Sequence, residues 1–316
     1  MSAAAPAKRS AARLARIWAA APANARGAAW LFIAAMAVTV MFVGVKLIDG
    51  ELNAMQVTFL RAAAGALLLA PLYLRRDPMR LLRPKRPWAV LSRSVTATIA
   101  ITLAYVSLSR LPLADAQALS FANTLFLVPI AAIFLGERVG VRRWSAAGAG
   151  FLGVLIMLRP TGVVNVGALA AVGGAFMMAI TIAQVKALSR DHAANDVYYW
   201  GLSLMALLAL PPALFVWRAP QAEHLLPLAM VVLGGALSQF CYVRAYSIAE
   251  AGAIAPVEYT RLVLAAIVGA LFFSEAPDGL AYAGAILIVM ATLYITIREA
   301  QLGLKARAEE TARSVR

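Results

Sequence analysis

Cysteine is almost missing from this chain: Cys241 stands alone among 316 residues. An intramolecular disulfide is excluded, and so is a thiolate metal site, which needs several cysteines at short spacing. Histidine is nearly as scarce. His192 and His224 fall in two separate polar stretches, and no H-E-x-x-H pattern, D-x-x-D cluster or Gly-rich phosphate loop occurs. A membrane-embedded enzyme would need such a cluster, so no catalytic residue, cofactor or metal is expected. Charge is also thin, at 14% of residues against about a quarter in ordinary soluble domains. Disorder, coiled coil and a large water-exposed domain are thereby excluded.

What fills the chain instead is hydrocarbon. Hydrophobic residues make up 62%, enough for about ten bilayer crossings at ~20 apolar residues each. Apolar runs fall at 29–48, 54–74, 88–108, 114–135, 144–159, 167–188, 197–217, 226–248, 252–273 and 280–297. They are continuous rather than alternating, which excludes barrel strands. The expected fold class is an all-α integral membrane protein with ten transmembrane helices.

Basic residues orient those helices. With the N-terminus inside, 21 of the 29 fall on the cytoplasmic side, among them Lys8, Arg9, Arg13, Arg16, the group from Arg75 to Arg86, and Arg298. The opposite side receives Lys46, Arg110, Arg159 and Arg218. Basic loops stay in the cytoplasm, so the net charge of +14 reports topology, and no nucleic acid partner is expected. The reading places the chain in the inner membrane with both termini cytoplasmic, residues 1–27 and 299–316 forming tails. The basic start resembles a secretory signal. The run behind it is span-length and lacks a small-x-small site, so an uncleaved first helix is expected.

The chain also resembles itself. Ile133-Phe134-Leu135-Gly136-Glu137 matches Leu271-Phe272-Phe273-Ser274-Glu275 at an offset of 138, and Ser109 falls on Ser247 by the same shift. Pro71 pairs with Pro211 at an offset of 140. Because each half holds an odd number of spans, the second copy must lie upside down. Loop charge agrees: Arg138, Arg142 and Arg143 follow Glu137, whereas Asp278 and no base follow Glu275. Two inverted five-helix repeats, 28–159 and 160–298, are expected, with a substrate site between them at mid-depth.

These features carry a resemblance. The five-plus-five arrangement, Arg61 in span two, Phe134-Leu135-Gly136-Glu137-Arg138 after span four and Phe273-Ser274-Glu275-Ala276-Pro277 after span nine resemble the EamA family of the drug/metabolite transporter superfamily, over residues 28–298. The resemblance implies a secondary, alternating-access carrier for a small metabolite: an amino acid, a vitamin such as riboflavin, or a nucleoside derivative. The family's pattern usually has glycine before the second glutamate, where this chain has Ser274.

Ionisable groups inside hydrocarbon cost ~2.5 to 3.5 kcal/mol each, so each needs water, a partner or a cavity. Arg93, Arg244 and Lys46 lie close enough to helix ends to snorkel. Arg61 and Arg261 do not. Glu258 stands three residues before Arg261, so the two share a helix face and either neutralise each other or leave Glu258 free to carry a proton. The 138 offset sets Asn123 opposite Arg261 and Ser120 opposite Glu258. Tyr105, Phe121, Gln239, Tyr242, Tyr246 and Tyr259 add aromatic and amide surface on the same helices, as packing or as binding wall. The candidate substrate site is therefore Arg61, Tyr105, Asn123, Gln239, Tyr242, Tyr246, Glu258, Tyr259 and Arg261, with the arginines holding an anionic group and the aromatics stacking its body.

Glu137 and Glu275, at helix ends, read as caps or loop ion pairs. Ala149 with Gly153, and Ala281 with Ala285, are small residues four apart, suited equally to packing within the monomer and to a homodimer. Gly234, Gly235, Pro129 and Pro256 mark bends. The expected partners are a small-molecule substrate and membrane lipid. A channel or scaffold is the alternative function, although no filter segment is visible.

Overall fold

The computed structural model describes residues 21–48, 50–74, 84–134, 139–158, 165–249, 254–276 and 278–314. Glu137, Arg138 and basic residues 8–16 and 75–83 lie outside the described residues. In hydrocarbon every backbone donor and acceptor must be satisfied within its own segment, and these long apolar runs accordingly form helices. They are α1 (Ala23–Ile48), α2 (Ala54–Leu74), α3 (Pro87–Leu108), α4a (Leu113–Ser120) with α4b (Ala122–Phe134), and α5 (Val141–Leu158). The second half follows with α6 (Val166–Leu188), α7 (Ala194–Phe215), α8 (Ala222–Ile248), a 3-10 turn α9a (Ala255–Tyr259) running into α9b (Thr260–Phe273), and α10 (Gly279–Ser314). Among the described residues, ten helical stretches are long and apolar enough to cross a membrane.

Local chemistry sets the ends. Pro87 begins α3, where its missing N–H costs nothing. Asn165 caps α6 by accepting the Ala168 N–H at 3.1 Å. At the start of α8, the Gln221 N–H donates to His224 Nδ1 at 3.0 Å. The α9b helix ends at Ser274, whose φ of 53° is left-handed.

The helices pair across the two halves. α1 lies along α8 and α3 along α6, while α2 packs on α7, α5 on α10 and α4a on α9b. Exchanging the first five helices for the last five turns the α1–α8 pair into α6–α3 and leaves the other three pairs unchanged. At the α5–α10 contact the backbones nearly touch: a Cβ added to Gly153 would lie 2.7 Å from the Gly284 carbonyl. Gly153 is thus used within the monomer. Leu67, Phe215, Leu226 and Phe272 are 73%, 90%, 70% and 74% exposed and form part of an apolar outer surface suited to lipid.

Spans four and nine are both interrupted. The break in span four falls at Phe121, between α4a and α4b, and span nine changes from 3-10 to α geometry between Tyr259 and Thr260. Neither position is Gly or Pro, although Pro256 opens the 3-10 turn. Pro129, expected as a bend, sits inside α4b.

Candidate functional site

A cavity of about 230 Å³ lies between the halves, bounded by α1, α2, α3, α4, α6, α8 and α9b. Arg61, Tyr105, Asn123, Tyr242 and Arg261 line it, so five of the nine expected site residues converge there. Ser107 and Ser120 add hydroxyls, and Val38, Met41, Phe42 and Met178 supply apolar wall. These last positions were not selected in the sequence because apolar lining and apolar core carry the same residue types.

Arg61 reaches from α2 onto the backbone of α8. A Cβ on Gly235 would lie 3.0 Å from Arg61 Nε and 3.2 Å from Nη2, so Gly235, expected to serve as a bend, makes room for the guanidinium. Gly234 beside it admits α1, whose Ala37 carbonyl would be 2.8 Å from an added Cβ. Arg261 projects from the first turn of α9b with its guanidinium carbon 4.2 Å from the centre of the Phe121 ring, within cation–π range. It also lies beside the Tyr242 side chain. Phe121 is in turn stacked on Tyr259, with centroids 4.7 Å apart and an interplanar angle of 22°. Arg261, Phe121 and Tyr259 form a layered stack at the two helix breaks.

Four polar atoms at this cavity have no hydrogen-bond partner: Arg61 Nε, Arg261 Nε, the Tyr105 hydroxyl and the Ser107 hydroxyl. Among the described residues no carboxylate pairs with either arginine. Buried polar groups are ordinarily satisfied, and a guanidinium more so than most. The cavity therefore offers two cations and two hydroxyls in search of acceptors, with the Phe121–Tyr259 stack behind Arg261.

The remaining expected residues lie elsewhere. Among the described residues Glu258 forms no ion pair with Arg261; its carboxylate accepts a hydrogen bond from the Tyr246 hydroxyl at 3.3 Å. Both groups still lie near Tyr242 and Tyr246, but the Arg261 guanidinium turns to the Phe121 ring. Tyr242 and Tyr246 are parallel, 6.4 Å between centroids, but only Tyr242 reaches the cavity. Gln239 and Tyr259 are not in its lining either. Tyr259 acts from behind Phe121, its hydroxyl directed to Thr292 and Thr296 of α10.

Two of the expected snorkelling cations turn inward. Arg93 crosses from α3 onto Gly201 of α7, and Lys46 forms an ion pair with Glu275, both side chains 14% exposed. Lys46 also donates to the Leu111 carbonyl at 2.7 Å. Glu275 accepts the Leu113 N–H at 2.7 Å, so it caps α4a from across the molecule as well as pairing with Lys46. Arg244 remains exposed, 5.7 Å from the Phe240 ring centre. At the same end as Lys46, Gln56 donates to the Arg218 carbonyl at 2.6 Å and accepts its N–H at 3.1 Å. Glu51 meets His224 Nε2 there at 2.5 Å. Glu223 lies close to this pair, a grouping of metal-ligating types. With Nδ1 accepting the Gln221 N–H, however, Nε2 carries the ring proton and has no free lone pair for a metal.

Ten helices apolar enough to cross a membrane, around a mostly apolar cavity that holds two guanidinium groups without carboxylate partners, describe a multi-pass membrane transporter. The chain belongs to the EamA-like transporter family, whose unit it matches twice, over residues 25–159 and 165–297. It is 30% identical to a riboflavin transporter of Rhizobium johnstonii, over 86% of this chain and 91% of that protein. An S-adenosylmethionine uptake transporter of Rickettsia prowazekii is 28% identical over 86% and 93%. A pseudopaline exporter of Pseudomonas aeruginosa is 31% identical over 84% and 93%. A solved crystal structure, 18% identical, shares the fold with a TM-score of 0.59 over 87% of this chain and 98% of its own.

Proposed function

We propose that this chain is an alternating-access secondary carrier of the inner membrane, with cytoplasmic termini and two inverted halves, 28–159 and 160–298, that rock about the cavity. Its substrate is a flat or amphipathic metabolite bearing an anionic group. The observation that carries this reading is the pair of arginines without carboxylate partners, Arg61 and Arg261, facing one cavity. Their Nε atoms lack acceptors, and an anionic substrate supplies them while its planar body lies against Tyr105 and Tyr242. The transporters of riboflavin, S-adenosylmethionine and pseudopaline among the relatives support a metabolite of this size class. The family includes both uptake and export proteins by name, and binding linkage favours neither direction.

The test has two arms. A thermal-shift screen of purified protein against riboflavin, S-adenosylmethionine, amino acids and nucleosides identifies ligands, since a compound bound to the native state raises apparent stability. Arg261→Gln then abolishes gradient-dependent flux of the best ligand in proteoliposomes while leaving the protein folded in the membrane. Normal flux through R261Q sinks the assignment.

A further inference from the structure

Arg93 stands six residues from the Pro87 end of α3, about 9 Å along the helix, outside the cavity lining. Its guanidinium fills a notch on α7, where a Cβ on Gly201 would collide with it. Its Nε is sealed from solvent with no acceptor, and among the described residues no carboxylate pairs with it. The neutral groups nearby are already engaged with one another. Thr96 donates to the Gln184 side chain at 2.7 Å and to the Arg93 carbonyl at 3.0 Å. Gln184 donates to Ser92 at 2.7 Å, and Thr181 meets Thr96 at 3.0 Å.

Tyr198 of α7 lies within electrostatic reach of Arg93, and of Arg61 as well. Arg61 also faces Tyr105 across the cavity. Arg93, Tyr198 and Arg61 thus form a string of polar groups running from the Pro87 end of α3 to the cavity. A cation without counter-charge in hydrocarbon is costly, and glutamine or methionine would fill the Gly201 notch without that cost. The charge is useful only where an anion visits.

We propose that Arg93 is a second anion-binding station, lying between the cavity and the Pro87 face, with its guanidinium seated in the Gly201 notch. For the identity of that anion as substrate, the inference rests on the carrier reading above. The guanidinium is suited to a carboxylate or another planar or tetrahedral oxyanion, held through paired N–H donors. An anion passing from Arg61 to Arg93 exchanges one guanidinium for the next, so its charge is not left without a partner while it leaves or approaches the cavity.

The probe is 4-iodobenzoate, a flat carboxylate carrying an anomalous scatterer, applied to the full-length chain. Titration calorimetry in detergent counts its sites, and iodine peaks in crystals of the complex locate them. The expected result is one peak in the cavity and a second beside Arg93. R93Q removes the second alone, R93K retains both, and R261Q weakens the cavity site about tenfold or more, equivalent to ~1.4 kcal/mol. Iodine confined to the cavity overturns the Arg93 station and leaves the cavity reading standing. Iodine at Arg93 alone sustains the station and overturns the cavity reading, and iodine at neither overturns both. Should R93Q fail to fold, the wild-type iodine map decides by itself.

Discussion

Phe121 and Tyr259 stack ring on ring, 4.7 Å between centroids, and they are separated by 138 residues, the same offset that relates the two glutamate motifs. Each marks the point where its span is broken. Equivalent residues of the two halves therefore meet each other at the middle of the chain's internal repeat, and Arg261 lies over the outer face of the pair. A residue that touches its own counterpart sits where the two halves are related, so the stack is a joint between the halves, and it backs Arg261, which lines the cavity.

Phe121→Leu keeps the apolar volume and removes the ring. Stacking with Tyr259 is worth ~0.5 to 1.5 kcal/mol, and the guanidinium loses a cation–π partner worth up to ~2 kcal/mol when desolvated. Affinity for the ligand found by the thermal-shift screen should fall about tenfold or more, with the far-ultraviolet circular dichroism unchanged. Undiminished affinity in F121L shows that binding does not depend on the ring's hold on Arg261.

Glu275 ties α1 to α4a by pairing with Lys46 and accepting the Leu113 N–H. Glu275→Gln keeps an acceptor for that N–H but strands the Lys46 ammonium, and stranding one member of a buried pair costs ~3 to 5 kcal/mol. Thermal unfolding in detergent should show a large loss. Adding Lys46→Met to E275Q removes the stranded charge and should restore most of the stability. A double variant as unstable as E275Q rejects the pairing as the cause.

Ser274 holds a left-handed φ of 53° at the end of α9b, where the Glu275 N–H returns to the Gly269 carbonyl at 3.0 Å. That conformation costs an L-residue ~1 to 2 kcal/mol and glycine almost nothing. Ser274→Gly should therefore raise the unfolding midpoint. The departure from the family's usual glycine, visible in the sequence, acquires its physical meaning only from this backbone angle. A lowered midpoint in S274G shows that the serine side chain contributes more than the strain removes.

Gly140 and Asp278 follow spans four and nine in the two halves. In a Cys241→Ser background, Gly140→Cys and Asp278→Cys should react with an impermeant thiol reagent from opposite faces of a sealed vesicle. Labelling of both from one face disproves the inverted arrangement.

The sequence by itself determined the solvent and the class. Continuous apolar runs have one stable outcome in lipid, a helix that satisfies its own backbone. Ten of them, with two glutamate motifs at a constant offset, identified the family before any contact was known. Arg61, Tyr105, Asn123, Tyr242 and Arg261 were also legible, because charged and polar residues are rare in such runs and each departure from apolarity stands out. Tertiary structure alone decided where those side chains go. A helical spacing predicted that Glu258 and Arg261 share a face, but not that Tyr246 of α8 would hold the first and Phe121 of the other half the second. Distance from a helix end predicted that Lys46 and Arg93 reach for the interface, yet Glu275 and Gly201, more than a hundred residues away in the chain, draw them inward. Periodicity describes one helix at a time, whereas the partner of a buried charge is set by packing between helices.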